Sequence, residues 1–260
     1  YKEDPETSLK ILDAVISTKV ECFVFCDTNG GTLPSEVHEI ISEIISKYPK
    51  ANFGVHFQND NGCAVANSMV AVDLGVNHVQ GTINGYGERT GNADLCTLIP
   101  NLTLKKGYQT ISERSLGRLT QTANHIAELV NVAIDSRHPY VGSSAFTHKA
   151  GLHASGMAKD SSLYEHIDSA AVGNFTRTTV SELAGRASVL TKAEEFGLEF
   201  NNDDAKKLIE EVQNLEHMGY QFEAADGSLF ILMNKLKNIE PNFFKFESFR
   251  VFSERRNSEN

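Results

Sequence analysis

Three short apolar runs dominate the early part of the chain: ECFVFC at 21–26, ANFGVHF at 51–57 and NHVQGTI at 77–83. The stretches between them, at about 34–48 and 62–74, have helical apolar spacing, as do a stretch at about 5–18 and one from about 92. Strands alternating with helices pair in parallel through crossovers, so the pattern predicts βα units. Asp4-Pro5-Glu6 marks the first helix start, with a capping carboxylate, a proline at the first helical position and an acid in the first turn.

Each run ends in polar residues and glycine: DTNGG at 27–31, HFQND at 56–60 and GTINGYGERTGN at 81–92. In parallel α/β folds the loops after the carboxyl ends of the strands build the site, so three polar ends in succession predict three walls of one pocket. Gly, Asn and Asp also make turns anywhere, but His56, Gln58 and Thr82 fall within strands or at their ends. Residues two apart on a strand point the same way, which puts His56 and Gln58 on one face.

The second half reads differently. Residues 107–133 suggest one long amphipathic helix with Leu119, Ala123, Ile126, Leu129, Val130 and Val132 as its apolar positions, followed by the polar connection SRHPYVGSSAF at 136–146. A new unit carries THKAGLHASG (147–156), YEHID (164–168), SELAGR (181–186), a charged helix at about 202–218 and another near 226–237. FKFESFRVF at 244–252 reads as the first strand of something further, and the chain looks cut at both ends.

Composition excludes several classes. With 260 residues, 40% hydrophobic and 22% charged, the chain can bury a core and suggests one or two domains. A net charge of −10 without a Lys/Arg block argues against nucleic acid or an anionic membrane as the partner. No signal peptide or membrane span is recognisable, and a cytoplasmic protein is the plain reading. Cys22, Cys26, Cys63 and Cys96 contain no CxxC pair and read as reduced packing thiols.

Five motifs carry a resemblance. HFQNDNGCAVANSMVAV (56–72), GTINGYGERTGNADLCTLIPNL (81–102), SSAFTHKAGLHASG (143–156), YEHID and SELAGR together resemble the 2-isopropylmalate, homocitrate and citramalate synthase family, within the wider group of barrel-fold metal-dependent Claisen enzymes and lyases. The similarity runs over nearly the whole chain, and the second motif with LEHMGYQFEAADGS (215–228) looks most like the longer citramalate synthases. It implies the C-terminal part of a (β/α)8 TIM barrel, about three βα units within residues 1–133, then a mainly helical linker subdomain at 134–243 and the start of a regulatory domain at 244–260. The other strands, one of which gives relatives a metal-binding aspartate and a substrate-binding arginine, would lie outside this chain. A barrel sector alone leaves open edges and an uncovered core, so the chain is expected neither to fold natively nor to act by itself.

The resemblance also implies a chemistry, a Claisen condensation. A base removes a proton from the acetyl-CoA methyl group, the enolate attacks the ketone of a 2-oxo acid held by a divalent cation (Mn, Mg or Zn), and the thioester is hydrolysed. For the citramalate branch the 2-oxo acid is pyruvate and the pathway leads to isoleucine. His56 and position 58 match a His-x-His pair that binds the cation in relatives, but here Gln58 stands second. Its carbonyl oxygen suits a hard cation better than zinc. Asn92 matches a position at or near the metal, and Thr28 matches a threonine that hydrogen-bonds the 2-oxo acid carboxylate. Thr82 is either a substrate contact or a strand residue. His148 matches a proton-transfer histidine and Tyr164 a tyrosine beside it; in relatives the pair reaches the barrel of the partner subunit, which implies a homodimer.

Blander readings stand beside these. His56 alone is a hydrogen-bonded core histidine, Thr28 an ST-turn, and His148 with Tyr164 a polar connection. Glu88 and Arg89 read as a structural pair within their loop, His153 and His166 as capping or packing residues, and Ser181 with Glu182 as a helix start. At the level of function the alternatives are a 2-isopropylmalate synthase, a relict barrel sector serving as an interaction module, and a carbon–carbon lyase, against which the extension at 147–186 argues.

Overall fold

The structure, a computed structural model, describes residues 1–18, 20–148, 164–178, 185–222, 225–239 and 247–253. His153, Ser181 and Glu182 lie outside these. Two compact units are distinguished, the first comprising Tyr1–Thr147 with Ser161–Arg177 and the second His148–Asp160 with Thr178–Asn260.

In the first unit α1 (Pro5–Val15) begins as the sequence predicts, with the Asp4 carboxylate accepting from the Thr7 N–H at 2.9 Å. Strands β1 (Phe23–Asp27), β2 (Phe53–Phe57) and β3 (His78–Gln80) form one parallel sheet in that order. The crossovers are α2 (Pro34–Lys47) and α3 (Ala64–Asp73). α2 starts on Pro34, and Glu36 reaches back to the Leu33 N–H at 2.8 Å. The register sets Cys26 beside His56 and His56 beside Gln80.

Alternation along β2 sorts the two faces. Phe53, Val55 and Phe57 are buried in a core shared with Val37, Ile41, Ile44, Ala64 and Ala71. Gly54, His56 and Gln58 occupy the opposite face, next to Cys26 of β1 and to His78 and Gln80 of β3, all three of which are exposed.

β3 is shorter than the run at 77–83 suggests, because the chain tightens into a 3-10 turn at Ile83–Gly85, where Asn84 takes a φ of 60°. The helix expected from about 92 begins later, as α4 (Leu95–Pro100), since residues before it are bonded to the sheet end. Within 107–133 a short helix, α5 (Glu113–Leu116), precedes the expected long amphipathic helix, which is α6 (Leu119–Val130). Ser112 caps the first, its hydroxyl accepting from the Ser115 N–H at 3.2 Å, and Gly117 ends it. The buried stripe of α6 is Leu119, Ala123 and Ala127, whereas Leu129, Val130 and Val132 are exposed. Leu116, Leu119, Ala123, Tyr140, Val141, Phe146 and Val172 make a second core around Cys96. Thr147–His148 (β4) and Arg177–Thr178 (β5) pair as a short two-stranded sheet.

The second unit is helical where described: α7 (Arg186–Glu195), α8 (Asn202–His217) and α9 (Asp226–Leu236). Asn201 and Asp204 form a reciprocal cap at the start of α8, and Val189, Leu208, Val212, Leu229 and Met233 fill the core between the three. The charged helices near 202–218 and 226–237 thus stand where the pattern puts them. The expected strand at 244–252 is absent over its described part: residues 247–252 are irregular, and Phe249, Val251 and Phe252 are exposed, because a strand gains its hydrogen bonds only from a neighbour. All four cysteines are free thiols. Among the described residues no helix is long and apolar enough to cross a membrane.

Ile44, 1% exposed, anchors α2 to β2. Ile44→Ala is expected to lower the unfolding free energy by about 2–5 kcal/mol, measured by urea unfolding of the full-length protein and its variant side by side.

Candidate active site

The carboxyl end of the sheet is assembled by backbone hydrogen bonds before any side chain contributes. The loop from Gly81 to Asp94 folds back on β2: the Ala93 N–H donates to the Phe57 carbonyl at 3.0 Å, and the Asn59 N–H to the Gly91 carbonyl at 2.9 Å. Gln58 and Asn92 consequently face each other across an antiparallel bridge, and Thr82 and Asp94 across a parallel one. Gly91 permits the fold: its φ is +92°, and a Cβ there would come within 1.9 Å of the Gly85 carbonyl oxygen.

The side chains of Gln58 and Asn92 then stand out. Asn92 Nδ2 donates to the Tyr86 carbonyl at 3.2 Å, which fixes the amide. Both Gln58 Oε1 and Asn92 Oδ1 are buried without a hydrogen-bond partner. Two unpaired carbonyl oxygens on bridged residues are acceptors open to an outside hydrogen-bond donor or to a cation. His56, two residues before Gln58 and half-buried, shares its face; its Nδ1 lies 3.1 Å from Gln80 Oε1. Among the described residues no cluster of three or more His, Cys, Asp or Glu is placed to hold a metal, so the donor set here is one imidazole and two amide oxygens.

Thr82 and Asn92 meet at the same acceptor. The Thr82 hydroxyl donates to the Tyr86 carbonyl at 2.5 Å, so toward a substrate it can only accept. Thr28 follows β1 in the bend after Asp27 and is exposed. Its carbonyl takes a hydrogen bond from Arg89 at 2.7 Å, and Arg89 also grips both carboxylate oxygens of Asp60, at 2.7 and 2.9 Å. Arg89 is therefore structural, as the sequence suggests, but it ties the third loop to the first two; its approach to Glu88, at 4.0 Å, is secondary. Arg89 holds the Asp60 carboxyl below its ordinary range.

His148, the last residue of β4, is half-buried and belongs to the second unit; Tyr164, in the first, is 39% exposed. His166 packs its ring edge-on to Tyr140 and flat against Phe146, the packing role anticipated for it.

One pair escaped the sequence reading. His138 Nε2 lies 2.8 Å from Asp94 Oδ2, and Asp94 also accepts from the Thr97 hydroxyl at 2.5 Å and the Cys96 N–H at 2.9 Å. Burial by itself would raise the Asp94 carboxyl, but the bonds from His138 and Thr97 pull it below its ordinary value. The hydrogen bond to Asp94 raises His138. Burial and the nearby Asp94 charge push the Cys96 thiol up to about 12, so it is an inert packing group. Nothing in SRHPYVGSSAF foretells a partner 44 residues earlier in the chain.

Comparisons with known proteins agree with the geometry. Residues 1–130 match the HMGL-like family model, and residues 140–219 match the homocitrate synthase post-HMGL domain-like model. The chain is 46% identical over 98% of its length to an (R)-citramalate synthase from Aquifex aeolicus, and covers 49% of that protein. It is 43% identical over its whole length to the (R)-citramalate synthase of Geobacter sulfurreducens, again covering 49%. A 2-isopropylmalate synthase from Cronobacter sakazakii is 31% identical over 94% of the chain, which covers 47% of it. The chain thus spans about half the length of the curated relatives it matches.

The Asp94–His138 pair has a definite pH signature. Stability from a raised histidine is complete below its ordinary value of 6.5 and is lost as pH climbs through the raised one; stability from a lowered carboxylate is complete above 3.8 and is lost as pH falls through the lowered one. The pair contributes most between those two values. In urea unfolding of the full-length protein, His138→Gln is expected to lose more stability relative to the native sequence at about pH 5.5 than at about pH 9.

Proposed function

The chain belongs to the HMGL-like family, and from that premise we propose that it is part of a citramalate synthase, which condenses acetyl-CoA with pyruvate to give citramalate and CoA. The observation that carries the reading is the pair of buried, unpartnered oxygens, Gln58 Oε1 and Asn92 Oδ1, at the carboxyl end of a parallel sheet and on the His56 face. Similarity supports pyruvate over 2-oxoisovalerate, since identity to (R)-citramalate synthases exceeds that to a 2-isopropylmalate synthase.

The three strands are read as one sector of a closed (β/α)8 barrel. Supporting this, Cys26, His78 and Gln80 expose the face opposite the helices, and β1 and β3 are open edges among the described residues. Residues 1–133 would be that sector, 134–243 the linker subdomain and 244–260 the start of a further domain.

The residues present fit a divalent cation, with His56, Gln58 and Asn92 as the groups to hold it; magnesium or manganese suits two amide oxygens better than zinc does. Bound there, such an ion would polarise the ketone of the 2-oxo acid and stabilise charge developing on its oxygen. The Thr28 hydroxyl donates to the 2-oxo acid carboxylate, beside a loop that Arg89 immobilises. Thr82 holds the Tyr86 carbonyl and, through it, the Asn92 amide. His148 takes the proton from the acetyl-CoA methyl group, with Tyr164 assisting, in the site of a partner subunit of a homodimer. The enzyme is assigned to the cytoplasm.

Gln58 gives one reason to weigh a second reading, a relict scaffold that no longer condenses anything. A thiol-release assay on the full-length protein, with acetyl-CoA and Mn²⁺, separates the two. The native sequence is expected to release CoA with pyruvate in preference to 2-oxoisovalerate. Inertness of the native sequence together with activity gained by Gln58→His would instead identify a lineage that lost its metal site, and preference for 2-oxoisovalerate would move the protein to the isopropylmalate branch.

A further inference from the structure

β2 and β3 together place three side chains in a row across the open face. His56 Nδ1 lies 3.1 Å from Gln80 Oε1, and Gln80 Nε2 lies 3.4 Å from His78 Nε2. The parallel register sets His56 beside Gln80, and His78 precedes Gln80 by two residues on the same face. The ring of His78 is seated over Gly54: a Cβ at that glycine would come within 2.7 Å of His78 Cδ2, so any other residue there would displace the ring.

The donor and acceptor roles in this row follow from chemistry. An amide oxygen only accepts, so the proton at that contact sits on His56 Nδ1, and Nε2 is left as the lone-pair atom. An amide nitrogen only donates, so His78 Nε2 accepts from Gln80, which holds the amide with its oxygen toward His56. Swapping the amide would keep both contacts and reverse both roles, so the Nδ1–H tautomer of His56 follows from the amide orientation with Oε1 toward His56.

We propose that Gln80 is a positioning residue for the cation site: it fixes His56 as the Nδ1–H tautomer with Nε2 available to the cation, and His78 fixes Gln80 in turn. A ligating histidine whose second nitrogen has a defined acceptor is both oriented and more basic. The arrangement matters more here than in a site of two imidazoles, because among the described residues His56 is the imidazole of β2 that shares the face of Gln58. The proposal rests on the reading of His56 as a ligand.

Its test is Mn²⁺ binding, followed by the loss of the free-ion EPR signal on titration of the full-length protein, with the unfolding midpoint in EDTA measured alongside. Gln80→Met, which keeps the length and removes the acceptor, is expected to weaken Mn²⁺ binding about 10- to 100-fold with the EDTA midpoint unchanged, while Gln80→Glu, which keeps the acceptor, stays within about threefold of native. His78→Phe, at an exposed position, is expected to weaken binding by a smaller factor and gives a readout should Gln80→Met fail to fold. Native affinity in Gln80→Met or in His78→Phe, or equal loss in Gln80→Glu and Gln80→Met, overturns the proposal. The underlying reading fails separately and visibly: His56→Ala would then bind Mn²⁺ as the native sequence does, or the native sequence would not bind it.

Discussion

The bridge between Gln58 and Asn92 is the constraint on which the rest of the site depends. A parallel sheet leaves the last carbonyls and N–H groups of its strands without partners, and here the loop after β3 and the end of β1 supply them for β2. The carbonyl of Phe57 is taken by Ala93, the N–H of Asn59 by Gly91, and the N–H of Gln58 by Asp27. Once those bonds are made, residues 58 and 92 have no freedom to separate. Every polar side chain of the pocket is then placed by backbone geometry before its own chemistry matters.

Arg89 extends the same logic to the first loop. Its guanidinium has five donors in a fixed fork, and it spends three contacts on the Asp60 carboxylate and the Thr28 carbonyl. The pair is too exposed for its charge attraction to count for much in stability. What it supplies is geometry: three loops that could wander independently become one rim. Asp27 works beside it, its carboxylate accepting from the Gly30 and Thr32 N–H groups at 3.1 Å each. An acid at the end of a strand is thereby consumed as a turn former and is not a free ligand.

Sequence patterning made the βα order legible because it rests on local rules: period-two alternation in β2, a capped α1, a proline-led α2. It also revealed that His56 and Gln58 share a face, which requires only a strand. Helix lengths were less legible. The apolar positions Leu129, Val130 and Val132 extend a helical pattern, yet α6 buries Leu119, Ala123 and Ala127, and which stripe is chosen depends on the neighbours Tyr140, Val141 and Val172. Asp94 with His138 was illegible for the same reason, since a hydrogen bond between residues far apart in sequence leaves no periodic trace. Gln80 lay in between. Its parity with Thr82 was readable, but its bond to His56 needed the register of β2 against β3, which only the folded sheet fixes.

The exchange of an imidazole for an amide at position 58 deserves to be judged by what the amide lacks. Buried carbonyl oxygens without donors cost about 1–3 kcal/mol each, and folded chains tolerate few of them. Asn67 Oδ1 and Ser188 Oγ are also unpartnered, but they sit on separate helices, and Asn67 has its nitrogen bonded to the Thr32 carbonyl. Gln58 Oε1 and Asn92 Oδ1 differ in being carried by residues that the backbone forces together. If position 58 had drifted after loss of function, an amide free to turn would be expected to find a donor. With the Asn92 amide nitrogen committed to Tyr86, the two oxygens await a donor or a cation from outside the protein. In the proposed cation site, Gln58 would supply an oxygen at the position where the family resemblance implies an imidazole, which suits a harder ion.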